Sequence, residues 1–182
     1  MQTFRAVLVF AAAAMLAAMS TAASADEWST LNADAKRAYS RLVSTVPAAK
    51  AISERAVAVL VFPTITKAGL VVGGQYGKGV LMRGGKAVGY YNTAGASYGL
   101  QAGAQQFGYA MFFMNDNSLK ALTESDGFEI GVGPSVVVVD EGMAKSATSM
   151  TMKDDVYAFI FGQKGLMAGI GLQGNKITKL AK

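Results

Sequence analysis

Residues 95–99 read Gly-Ala-Ser-Tyr-Gly, the G-x-S-x-G spacing that lifts a serine nucleophile onto a sharp turn between a strand and a helix. Ser97 in that role needs a base near neutral pH. The chain of 182 residues contains no histidine, so a Ser-His-Asp triad is chemically impossible. A serine–lysine pair is conceivable with Lys67, Lys78 or Lys86, but such a lysine must be desolvated to act as a base. The elbow also needs a helix after the serine. The residues after Ser97, YGLQAGAQQFGYAMFF, are glycine-punctuated and aromatic-rich, which is a strand pattern. Ser97 is therefore expected to be a small residue among glycines in a sheet, and no catalysis is expected. Zinc sites built from Cys and His are equally impossible, and neither a metal nor a cofactor is expected.

The glycine-rich stretch GGQYGKG (73–79) invites a phosphate-loop reading, and it fails the test. No glycine lies five residues before Gly77, and Gly79 stands where a Ser or Thr would bind magnesium. The glycines instead have the period of a strand. Gly69, Gly73, Gly77 and Gly79 share odd positions with Lys67, Gln75 and Arg83, while Leu70, Val72, Tyr76, Val80 and Met82 line the other face, broken by Lys78. Glycine in a strand marks a bulge or the close approach of something else. That something is either packed protein or a ligand, with packing the usual meaning.

Several elements must position these residues. Residues 1–25 have the form of a secretory signal: Arg5, an apolar run from Ala6 to Met19, and Ala23-Ser24-Ala25 as a cleavage site. The run is short of the roughly 20 apolar residues of a membrane span. An exported, periplasmic or envelope-associated protein beginning at Asp26 is expected. Its 16 basic and 12 acidic side chains leave it mildly basic, at +4 once Arg5 is gone from the full chain's 17 and 12. Residues 26–182 are expected to form one domain, helical over 26–56 and β-rich over 57–182.

Trp28, Leu31, Ala35, Ala38, Leu42 and Val46 recur at helical spacing and predict an amphipathic helix over 27–46. Lys36, Arg37 and Arg41 lie off that stripe. The helix is expected to pack on the domain with a solvated basic face; a membrane-surface helix is the alternative. Pro47 opens a second helix, 47–56. Strands are expected at 57–63, at Val80–Arg83 and Lys86–Tyr91 around a Gly84-Gly85 turn, at Gly95–Met114, at 128–139, and in VYAFIFG and GLMAGIGLQG near the end. A short helix over 116–125 should be capped by Asp116 or Asn117, and a polar connection spans 140–155. Few crossover helices separate the strands. The expected fold class is α+β, with N-terminal helices packed on a curved, mostly antiparallel sheet that could close towards a barrel.

The segments VLVFPTITKAGLVVGGQYGKGVLMRGGKAVGYY, TAGASYGLQAGAQ and GLMAGIGLQGNKIT, in that order and spacing from about Lys50 to Leu180, resemble the SYLF domain family. This family includes eukaryotic actin-patch proteins and many exported bacterial proteins. The resemblance implies phospholipid binding, with phosphoinositide binding and actin association in eukaryotic members, and no catalysis. It implies lipid contact through basic residues near the start of the domain, here Lys50, Arg55 and Lys67. Lys78 and Arg83 join them as cations of the glycine-bearing segment. The expected partner is a phospholipid or membrane surface, with a protein partner possible in principle and no nucleic acid. The expected function is non-enzymatic binding of an anionic or phosphoinositide-like lipid in the bacterial cell envelope. The alternative is a structural or protein–protein interaction component without direct lipid recognition.

Overall fold

A computed structural model describes residues 26–69, 72–98, 103–130, 132–139, 153–165 and 174–181. The helix α1 covers residues 26–45 and α2 covers Pro47–Ser53. Then come β1 (Ala58–Gly69), β2 (Val72–Arg83), β3 (Lys86–Tyr98), β4 (Gly103–Phe113), α3 (Asp116–Thr123), β5 (Phe128–Glu129), β6 (Val136–Val139), β7 (Val156–Gly165) and β8 (Lys176–Lys179). All eight strands belong to one sheet in the order β5-β8-β3-β2-β1-β4-β7-β6. The pairings are antiparallel except β6 with β7, which is parallel.

The sheet curls into a half-barrel. Phe113 on β4 and Phe128 on β5 show how far. They stand five steps apart in the strand order, about 24 Å on a flat sheet, yet their ring centroids are 6.4 Å apart. Leu60, Phe62, Ile65, Leu81, Tyr91, Phe107, Tyr109 and Met111 fill this concave side, closed by Leu119 and Leu122 of α3. The convex side carries Val59, Val61, Val80, Met82, Ala110, Phe112 and Phe159 under α1 and α2.

The expected α+β class and the two N-terminal helices are present. All six residues of the α1 stripe pack against the convex core, with Ala35 and Leu42 fully buried, so the stripe covers the sheet rather than facing a membrane. Burying a leucine in this way contributes about 1.5–3 kcal/mol. The Gly84-Gly85 turn joins β2 to β3 as expected.

Several boundaries differ. β1 runs to Gly69 rather than stopping at Pro63, because a bulge between Val61 and Thr64 absorbs the proline, which has no N–H to donate. Gly95–Met114 is not one strand: Gly95–Tyr98 belong to β3, paired with β2, and β4 begins at Gly103. Residues 128–139 divide into β5 and β6 at opposite ends of the sheet. The α3 cap is Asn115, whose Oδ1 accepts from the Ser118 N–H at 2.8 Å. Asn115 Nδ2 also donates to Asp155 Oδ1 at 2.8 Å, and that bond, aided by Ser135, holds the Asp155 carboxyl below its usual range. Most of the connection expected at 140–155 and of the strand expected in GLMAGIGLQG lies outside the described residues.

The glycines of β2 explain the curl. Gly77 and Gly79 face the concave side, opposite β1. A Cβ on Gly77 would stand 2.7 Å from an Ile65 side-chain carbon and 2.8 Å from the Thr64 carbonyl oxygen. One on Gly79 would stand 2.6 Å from the Phe62 ring. Side chains of β1 thus lean into a furrow of bare backbone on β2. Gly74, on the opposite face, has open space around it, with the nearest atom at 3.9 Å. Gly77→Ala should therefore cost about 1–3 kcal/mol by overpacking, while Gly74→Ala should be neutral or slightly stabilising through the unfolded chain. Urea unfolding of the two variants beside the parent measures this contrast.

Candidate functional site

The five cations singled out from the sequence do not converge. Lys50 is exposed on α2, and Arg55 is exposed just beyond it and already engaged in a contact. Lys67 points into the concave side and is buried. Lys78 lies on the convex face, ion-paired to Glu27 and 5.9 Å from the centroid of the Trp28 ring. Arg83 pairs with Asp116 at 3.2 Å at the far end of β2. The alternation that puts Lys67 on the glycine face and Lys78 off it holds; what alternation alone does not show is that the glycine face is the inside of the curl.

A different group of cations does share a site. A cleft of about 650 Å³ opens between α1 and the strands β4 and β7. Its rim carries Arg37, Arg41 and Lys164, against the single acid Asp34. Arg37 and Arg41 stand one turn apart on the flank of α1 that borders the cleft, beside Ala38 and Leu42 of the stripe. Lys164 sits across from Gln106 of β4, beyond a bulge where Gly162 takes a φ of 63°. Arg37 is ion-paired to Asp34, whereas Arg41 and Lys164 have no ion-pair partner among the described residues. Leu42 from α1, Val46 between the two helices, and Phe107, Phe159 and Phe161 from the sheet also line the cleft. It therefore combines a cationic rim with apolar walls, which suits an amphiphile with a negative head.

On sequence alone Arg37 and Arg41 read as an ordinary solvated helix face. Their i, i+4 spacing is legible there, but Lys164 joins them only through the curl of the sheet and the docking of α1.

Ser97 lies within β3, opposite Gly73 of β2, and the next described element is the strand β4. A serine inside a long strand does not stand at a strand-to-helix elbow.

The concave side holds a second polar group. Lys67, Gln75, Thr93, Gln105 and Asn175 are all buried there. Gln105 Oε1, Thr93 Oγ1, Asn175 Nδ2 and the Tyr109 hydroxyl have no hydrogen-bond partner among the described residues. An unmade hydrogen bond at a buried polar atom costs about 1–3 kcal/mol. Burial pushes the Tyr109 phenol far above its ordinary value, and the nearby Thr93 hydroxyl offsets part of that rise without reaching hydrogen-bond geometry.

Helices on the convex face of a curled sheet, with a cationic, apolar-walled cleft between α1 and the strands β4 and β7, define an α+β protein. Residues 94–182 match the family model described as Ysc84, Las17-binding protein actin regulator, a match consistent with the resemblance to the SYLF domain family. The family is known as a lipid-binding and actin-regulator domain. The match takes in part of β3 and everything from β4 onward, including Lys164; the resemblance of residues 50–93 lies before it. No curated protein matches the chain.

The seat of α1 on the sheet depends on the first turn of the helix. Trp28 packs on Tyr90, ring centroids 4.5 Å apart, and Asn32 Nδ2 donates to the Tyr90 hydroxyl at 2.8 Å. Lys78 completes this seat. Its hydrogen bond to Glu27 raises its pKa above the ordinary lysine value of 10.5, against a smaller opposing effect of burial. A raised pKa means the contribution is fully present below the unfolded value and is lost as pH rises through the folded one. Because Lys78 is partly exposed to solvent, the loss should be small and local. Fluorescence of Trp28, the sole tryptophan, should therefore change as pH is raised past 10.5 in the parent, with that step absent in Lys78→Gln.

Proposed function

We propose that this protein is a non-enzymatic lipid-binding component of the bacterial cell envelope that takes anionic phospholipid headgroups at the cleft between α1 and β7. One observation carries the proposal: Arg41 and Lys164, without an ion-pair partner among the described residues, stand on the rim of a cleft whose walls are aromatic and aliphatic. A phosphate headgroup matches the rim, and the first carbons of an acyl or glycerol moiety match the walls. The family's lipid-binding character supports the same direction. Export to the envelope rests on the form of residues 1–25.

Each basic side chain at an anionic surface is worth about 1 kcal/mol, and the attraction fades within a Debye length. The rim alone is thus a weak site, and the apolar walls must add to it. Vesicle co-sedimentation tests this. The protein should bind vesicles containing phosphatidylglycerol more strongly than pure phosphatidylcholine vesicles, and less at higher salt. Arg41→Gln with Lys164→Gln should weaken binding roughly thirtyfold, about 2 kcal/mol. Lys78→Gln with Arg83→Gln, whose cations are already paired, should change it less than about threefold. Equal binding by the parent and the Arg41/Lys164 double variant would remove the cleft as the lipid site and bring the protein-partner reading forward, a direction that the family's description as a Las17-binding protein also supports.

The absence of catalysis has its own test. A fluorophosphonate probe should leave Ser97 unlabelled, because no histidine exists to activate it. Stoichiometric labelling that disappears in Ser97→Ala would make the protein a hydrolase.

A further inference from the structure

The lipid cleft makes no use of the polar side chains inside the curl. Their arrangement is ordered. Gln105, Lys67, Gln75 and Gly95 are register neighbours across β4, β1, β2 and β3. Gly95 contributes no side chain, and Asn175 occupies its place, with its Oδ1 where a Cβ would stand and Gln75 Nε2 beside it. One layer of the concave face, four strands wide, is therefore polar throughout. Thr93 belongs to the next layer, two residues and about 7 Å along β3, and the Tyr109 hydroxyl reaches towards it.

These groups are not at a wet rim. Lys67 is 5 % exposed, Gln105 4 %, Asn175 2 %, and Thr93 and Tyr109 0 %. Four of them each carry a buried polar atom with no partner among the described residues. Lys67 is engaged within the fold, so its role is to set the sign of the local charge. A hydrophobic core would be cheaper to build at every one of these positions, as the apolar layers on the same face show. Such a cluster of unmet atoms in one place is the pattern of a site awaiting a polar guest.

The chemistry of the guest follows from the donors. The Thr93 and Tyr109 hydroxyls, the unmet Asn175 Nδ2 and the Lys67 ammonium can donate hydrogen bonds; Gln105 can donate only through Nε2, its unmet Oε1 being an acceptor. No Asp or Glu is among the buried polar residues described, and Lys67 is the single charge there. A set of donors around one cation, without a carboxylate, favours an anion over a cation or a sugar. We propose that the concave face of the sheet carries a second binding site, for a small oxyanion of the phosphate class, formed by Lys67, Gln75, Thr93, Gln105 and Asn175. The site is distinct from the cleft under α1, which lies on the opposite face of the sheet, and it does not depend on lipid binding there.

The phosphate could be free or the head of a small lipid, and calorimetric melting of the full chain at constant ionic strength separates these sources. The three arms are inorganic phosphate, glycerol 3-phosphate, and dihexanoyl phosphatidic acid below its micelle concentration, each against chloride. At least one should raise the melting temperature in a saturable way. Gln105→Leu and Lys67→Met should weaken that ligand at least tenfold, and Arg41→Gln with Lys164→Gln should alter it less than twofold. A rise with inorganic phosphate identifies free phosphate as sufficient; a rise with phosphatidic acid alone identifies a headgroup. Should Lys67→Met fail to fold, Thr93→Val, which keeps the side chain's shape, must show the same weakening. The proposal is overturned if no arm raises the melting temperature, or if Gln105→Leu and Thr93→Val leave the rise intact. It is also overturned if Thr93→Val simply stabilises the protein regardless of anion, since the layer then holds nothing but unmet groups or water. Because vesicle binding reads Arg41 and Lys164 and melting reads Gln105 and Thr93, either site can fail without the other.

Discussion

Phe62 and Ile65 lean from β1 onto the bare backbone of Gly79 and Gly77 on β2, and the rest of the molecule depends on that approach. Ordinary side chains at either glycine would hold the two strands' inner faces apart. With the furrow present, two central strands of the sheet close on one side, and the neighbouring strands follow the curl until Phe113 meets Phe128. The Pro63 bulge sits beside this contact and shifts the register of β1 against both neighbours. It lets the strand continue past the proline and keeps Ile65 and Lys67 turned inward.

Curling gives the sheet two unlike faces. The convex face is broad and apolar at its centre, and two helices must cover it, since an exposed surface of that size would not remain in water. The α1 helix does so with a stripe diluted by alanine, which lets it lie close to Val59, Val61 and Phe112. Its basic residues then have no choice of position. Lys36 lines a second gap on the other flank of the helix, beside Val57–Val59, while Arg37 and Arg41 overhang the gap that the helix leaves above β4 and β7. The cleft lies where α1 meets the curved sheet, and its charge comes from the flank of the helix that packing left free.

The concave face is narrower and divides along its length. Near the Phe62 and Met111 layers it is an aromatic and aliphatic core. Two residues beyond Ile65 it becomes Lys67, Gln75 and Gln105, joined by Asn175. Hydrophobic burial holds the first part together; the second part is maintained against that tendency, which is why it carries chemical meaning.

Much of the fold is legible in the sequence because it is local. The spacing from Trp28 to Val46 marks a helix, Pro47 marks its end and the next beginning, Gly84-Gly85 marks a hairpin, and the odd-numbered glycines mark one face of a strand. The absence of histidine removes triad chemistry at Ser97 without any structure. Chain pairing is not local, and there the sequence misleads: Gly95–Tyr98 read as continuous with Gln105–Phe113, but the pairing partner that decides their strand is β2, 20 or so residues earlier. The same holds for the site. Lys67, Lys78 and Arg83 are close in sequence and group together on that ground, yet strand alternation and the hairpin send them to the inside, the helix seat and the far edge. Arg41 and Lys164 are separated by most of the protein, and only the curl of the sheet under α1 brings them to one rim. Residue types and periodicities set which elements form and which chemistry is possible; the glycine furrow, acting across strands, decided which charged groups meet.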